Sequence, residues 1–236
     1  MKKIASTLSF VFVVASAMAQ MEAGIGIKGG LNAARFNMKY QFGVGGPNEG
    51  KTYTNRAGFH AGVFANFKTR NFVIQPELLY SQQGSYFKYD PTNDNEQKWT
   101  AKLNYVTIPL TVKYTIFQLD EGDLNVQLGA QYGRLLKAWA DYYDFDGDGA
   151  QARHEFNTGK TGDDVFNVKD DYKASDLGLH VGVGWELPMG LSMDVRYYLG
   201  LQFMNAGYDG SRYKDYGSKN RVLQISIAYR IFRFDL

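Results

Sequence analysis

The chain has 236 residues, enough for one domain of ordinary size. Aromatic residues make up 15%, with 17 Tyr and 16 Phe, and 26 Gly stand against 5 Pro, a profile of strands and tight turns more than of helices. With no cysteine, no disulfide can staple an exported fold, and 26 basic against 24 acidic residues offer nucleic acid no basic excess.

The first residues form an export signal. Lys2 and Lys3 supply the charged start, Leu8 to Val14 the short apolar run, and Ala17-Met18-Ala19 a small-residue cleavage site before Gln20. The expected division is therefore a signal peptide at 1–19 and a mature domain at 20–236. No Cys follows the cleavage point, so the leader is not that of a lipoprotein. Its removal takes away two bases and no acid, which leaves the mature chain neutral. Mean hydropathy is −0.35, and no later apolar run approaches the ~20 residues of a membrane helix. A β-barrel escapes that test, because only alternate residues of its strands face lipid.

Alternation of period two recurs eight times, near 23–34, 57–68, 71–83, 103–117, 123–139, 175–187, 190–204 and 221–234. Each segment reaches the ~9–11 residues a tilted strand needs to cross a bilayer. The links fall into two classes. Lys68-Thr69-Arg70-Asn71, Gln118-Leu119-Asp120-Glu121-Gly122 and Pro188-Met189-Gly190 are short, whereas 35–56, 84–102, 140–174 and 205–220 are long and polar. Short and long links alternate, as expected for a membrane barrel with both termini on the short-turn side.

In the fourth segment Val106, Ile108, Leu110, Val112, Tyr114 and Ile116 share one face, opposite Tyr105, Thr107, Pro109, Thr111, Lys113 and Thr115. The eighth sets Leu223, Ile225, Ile227, Tyr229 and Ile231 against Gln224, Ser226, Ala228, Arg230 and Phe232. The polar faces are rich in Gly and carry single charges near mid-strand, which suits a crowded lumen. The apolar faces carry almost no charge and place Phe72, Tyr80 and Trp185 near strand ends, which suits interfacial girdles. The expected fold is all-β, an eight-stranded antiparallel up-and-down transmembrane barrel.

Facing inward would be a polar network of Lys28, Glu77, Lys113, Glu186, Asp194, Arg196 and Arg230, joined by His60, His180, Gln75, Gln127, Gln131 and Gln224. Eight strands leave a lumen only wide enough for side chains, so these charges should pair in a packed core without an open channel. His60 and His180 would serve as general bases in a catalytic reading, but no Ser–His–acid grouping is legible, and hydrogen-bonded lumen histidines are expected.

The longest link contains Asp144-Phe145-Asp146-Gly147-Asp148-Gly149 and ends at Glu155, the full D-x-[DN]-x-[DN]-G-x5-E spacing of a calcium loop. Asp144, Asp146, Asp148, the carbonyl of Ala150 and Glu155 would supply the oxygen shell for Ca²⁺. Gln151 stands where such loops usually hold an aliphatic residue, and no amphipathic helices flank it. The competing reading is a solvated acidic tip.

Gly26-Ile27-Lys28-Gly29-Gly30-Leu31-Asn32, Gln75 to Gly84, Leu103 to Leu110 and Val222 to Arg230 resemble the PorT-like outer-membrane β-barrel family of Bacteroidetes. The resemblance implies residence in a cell outer membrane and marks the barrel type better than the function. The DxDxDG run is not part of the family pattern. The sequence thus points to a non-enzymatic, monomeric barrel that touches outer-membrane lipid. Its long loops would serve structure, adhesion or contact with an extracellular ligand or envelope protein, without nucleic acid and with no cofactor beyond Ca²⁺ in the acidic loop. Two rivals remain: a lipid-modifying barrel enzyme, and a soluble exported lipocalin-like binding barrel.

Overall fold

A computed structural model of the protein describes residues 21–38, 51–89, 97–145, 151–157, 172–204 and 218–235. The expected leader, residues 1–19, lies outside them. Nine strands follow in chain order: β1 (Glu22–Met38), β2 (Lys51–Thr69), β3 (Phe72–Tyr89), β4 (Gln97–Leu119), β5 (Gly122–Phe145), β6 (Gln151–Asn157), β7 (Ser175–Glu186), β8 (Leu191–Gly200) and β9 (Ser218–Asp235). Eight of them, all but β6, close an antiparallel ring, because β4 pairs with β5 and β9 pairs with β1. Closure satisfies every strand edge internally, which a backbone in hydrocarbon requires. The eight expected strands are the eight ring strands. β6 is an addition, a short partner to the end of β5 that lies outside the ring.

The ring strands also run further than expected on the long-link side: β1 to Met38, β3 to Tyr89, β4 from Gln97 and β5 to Phe145. The reason is physical. Period two is visible only where one face meets lipid, whereas the hydrogen-bond ladder continues into water with no such pattern. The short links are tight turns. In the last of these Gly190 sits at φ 86, and its carbonyl accepts the Arg230 N–H at 3.0 Å.

The apolar face points outward. Ile25, Ile27, Phe59, Val63, Leu78, Ile108, Leu128, Val183, Val195 and Ile227 are all exposed, while Lys28, Glu77, Asp194 and Arg196 are 2–4% exposed. A continuous apolar belt of this size is far beyond what a soluble monomer shows, and it excludes a lipocalin-like barrel with a greasy interior. One expected face is corrected. Phe232 was expected beside Arg230 on the inner face, but a register shift pairs Ile25 with Phe232 and Gly26 with Arg230, leaving Ile231 unpaired. The bulge turns Phe232 outward, where it is 58% exposed and stacks on Phe234 at 6.5 Å.

Candidate functional site

The lumen is filled in levels. At the short-turn end Arg230 Nη1 meets Glu22 at 2.5 Å and Glu186 at 3.6 Å, and Lys68 meets Asp123 at 3.0 Å. These side chains line a polar recess of about 290 Å³. Arg230 and Glu186 are both members of the expected lumen network, which assigned no pairs within it; Glu22 was missed because it stands at the first position of its strand.

Above this lies a buried ion quartet. Lys28 Nζ is 3.1 Å from Asp194 and 3.5 Å from Glu77; Arg196 is 3.0 Å from Asp194 through Nε and 2.8 Å from Glu77 through Nη2. Gln75 donates to Glu77 at 2.6 Å, and Arg196 Nε donates to Gln127 at 2.7 Å. Lys113, expected in this network, is buried at 4% exposure but makes no ion pair among the described residues. Glu77 and Asp194 are already taken by Lys28 and Arg196, and Glu186 by Arg230.

The next level holds the two histidines. His60 Nδ1 is 2.8 Å from Asn32 Oδ1, and His60 Nε2 is 2.9 Å from Ser226 Oγ. Asn32 Nδ2 donates to Phe59 O, Ser81 Oγ and Gln82 O, so Asn32 Oδ1 is the acceptor and His60 carries its proton on Nδ1. Ser226, His60 and Asn32 thus form a Ser–His–Asn chain that sequence reasoning missed. Ser226 and His60 are each 1% exposed, so the hydroxyl lies inside the packed lumen and not at a rim or on the lipid face. His180 Nε2 is 3.0 Å from Thr111 Oγ1.

These bridges share one device. His60 and Ser226 both pair with Gly30, and Thr111 and His180 both pair with Gly129. Gln127 and Arg196 both pair with Gly182. In each case the missing side chain on the middle strand lets its two neighbours meet over the backbone. A Cβ at Gly30 would come 2.7 Å from His60 Cε1, and one at Gly129 would come 2.5 Å from His180 Cε1.

Toward the long-link end Asn220 bridges Gln83 and Asp176, and an apolar cap follows of Phe36, Ala101, Leu103, Tyr105, Ala138 and Met204, all 0–4% exposed. Met204 is anchored there: its carbonyl accepts from Lys173 at 2.6 Å, and its N–H donates to Ser218 at 2.8 Å. Of the expected calcium ligands, Asp146, Asp148 and Ala150 lie outside the described residues. For Asp144 and Glu155 only the backbone is described, in β5 and β6, with Asp144 opposite Ala152 and Glu155 opposite Asp141.

A family model described as an outer membrane protein beta-barrel domain matches residues 18–204. No curated protein matches. Among solved structures, Neisserial surface protein A is similar at 11% identity and a TM-score of 0.39, over 89% of this chain and 99% of that one. Ail, the attachment invasion locus protein of Yersinia pestis, aligns at 13% identity and a TM-score of 0.37, over 91% and 99%. OprG from Pseudomonas aeruginosa aligns at 8% identity and a TM-score of 0.37, over 93% and 98%.

Proposed function

Because the chain belongs to the outer membrane protein beta-barrel domain family and is a protein of the outer membrane, we propose that it is a closed, monomeric anchor that presents its long links to the exterior for adhesion, ligand contact or envelope structure. The observation that carries this reading is the filled lumen. A buried ion quartet and an apolar cap stand in series between the two ends, which favours contact through the rim over transport through the middle. Burial of the Ser226–His60–Asn32 chain likewise favours a binding role over lipid modification. The segments around Gly30, Gln75, Leu103 and Val222 support placing the chain with the PorT-like barrels, and the acidic spacing at 144–155 supports calcium as an organiser of one link. Planar bilayer recording joined to whole-cell binding tests the proposal. We expect no stepwise conductance, and surface binding that disappears when 205–217 is replaced by a short Gly-Ser link. Stable single-channel steps, or binding indifferent to all the long links, would overturn it.

A further inference from the structure

At the long-link end, the outer faces of β1 and β9 set like charges against each other. Arg35 stands directly opposite Arg221 in the register, and Lys219 lies opposite Asn37, on the diagonal from Arg35. Their chain neighbours Ala34, Phe36, Asn220 and Val222 are buried in the lumen, so the three bases share the outward face. Like charges directly opposite destabilise a ladder, yet none of the three forms an ion pair among the described residues. The outward positions of β1 from Ile25 to Asn37, of β8 from Met193 to Leu201 and of β9 from Lys219 to Tyr229 hold no acid. Asp176, on which the Arg221 charge acts, is buried on the inner face.

The other end of the barrel is different. There Arg233 meets Glu22 at 2.9 Å and Asp235 at 3.6 Å, and Lys68 meets Asp123 at 3.0 Å. Bases are matched by acids on the short-turn side and left over on the long-link side.

The unmatched groups are held in place. Arg221 Nη1 donates to the carbonyls of Gly200 and Asn220, at 2.8 and 2.9 Å. Those bonds fix the guanidinium and leave its Nε and Nη2 hydrogens for another acceptor. Lys219 Nζ rests 5.0 Å over the Phe203 ring. Toward mid-barrel the same outward columns turn apolar at once, with Leu31, Leu223 and Ile225 all exposed. An occupant must therefore offer anionic oxygens at one level and hydrocarbon beneath it. Guanidinium forks match phosphate oxygens, and basic clusters at a membrane surface attract anionic headgroups. The exterior leaflet of an outer membrane is built of phosphorylated glycolipid.

We propose that Arg35, Lys219 and Arg221 bind a phosphate of a glycolipid of the lipid A type, whose acyl chains lie along Leu31, Leu223 and Ile225. The phosphate offsets the repulsion between Arg35 and Arg221 that the register imposes. The proposal rests on the orientation given under the proposed function, with the long links outside.

The test folds the mature protein in detergent micelles. Melting is compared without lipid, with bisphosphorylated lipid A, with the same lipid stripped of phosphate, and with phosphatidylglycerol. The wild type is expected to melt several degrees higher with lipid A than with either other lipid, and Arg35→Gln with Lys219→Gln to lose that preference. Arg35→Glu separates a lipid site from a purely structural role. Opposite Arg221 it exchanges a repulsion for a cross-strand ion pair, so it should melt above the wild type without lipid and gain nothing from lipid A. Three results overturn the proposal: equal melting of the wild type with all three lipids, a preference that survives either variant, or an Arg35→Glu protein no more stable than the wild type without lipid. A failure of orientation reads differently. Ser211→Cys, in a chain with no cysteine of its own, should react with a membrane-impermeant maleimide on intact cells. Absence of labelling overturns the outward placement of the long links and this proposal with it, whereas labelling without a lipid A preference overturns this proposal alone.

Discussion

His60 and Ser226 meet over Gly30, Nε2 to Oγ at 2.9 Å, although they sit on strands that do not pair with each other. Replacing Gly30 by Ala would drive a Cβ against the Ile225 carbonyl and into His60 Cε1. Overpacking of this kind costs about 1–3 kcal/mol. Ser226→Ala leaves the histidine nitrogen buried without a partner, again about 1–3 kcal/mol. Urea titration in micelles, followed by Trp fluorescence, should show both losses. If the Ser–His–Asn chain is structural, ester hydrolysis by the wild type and by Ser226→Ala will be equally absent.

The quartet predicts a contrast between two acids. Glu77→Gln leaves Lys28 and Arg196 sharing Asp194 alone at side-chain exposures of 0–2%, and breaking a buried pair costs about 3–5 kcal/mol. Asp123→Asn breaks a pair whose members are 23–27% exposed, and should cost under about 1 kcal/mol. Equal effects in the same titration would show that the lumen is far wetter than its packing indicates.

Lipid-facing positions should behave in the opposite sense to the lumen. Leu128 is 60% exposed on the outer face of β5, opposite Val112 and Val181. Leu128→Arg puts a charge in hydrocarbon and is expected to cost about 2–4 kcal/mol in vesicles. Spin labels make the same point without a charge. A label at Ile108 should be accessible to oxygen dissolved in lipid, and one at Arg196 should be accessible to neither oxygen nor a water-soluble relaxant.

The inversion of the faces was legible because charge and apolarity alternate so cleanly from Val106 to Ile116. The bridges were not. His60, Gly30 and Ser226 are far apart in sequence, and only the registers of β2 and β9 on β1 superpose them. The trace they left was the inward glycines, read as crowding but not as windows between neighbours. Phe36 and Leu103 escaped notice as a cap for another reason: they lie where the outer face is already polar, so alternation no longer reports which side is in. Phe232 shows the remaining weakness. One unpaired residue, Ile231, reverses parity, and nothing local in the sequence marks it.

The acidic run 144–155 yields a prediction about the hairpin that carries it. Backbone pairing between β5 and β6 runs from Trp139 opposite Asn157 to Phe145 opposite Gln151, so the two ends of the run belong to one ladder. The register sets Glu155 opposite Asp141, three positions from Asp144, so an ion fastening the tip of that ladder would be held by Asp144, Asp146, Asp148 and Ala150 without Glu155, and its binding energy would oppose fraying from the tip downward. Calorimetry should then give saturable heat at one Ca²⁺ per chain, and the amides of Gln151–Asn157 should exchange more slowly with calcium present. Asp146→Ala with Asp148→Ala should abolish both effects while leaving the melting of the ring unchanged, since β6 is not one of its strands. Heat no greater than that of buffer, or protection that survives the double substitution, would leave the run as a solvated tip.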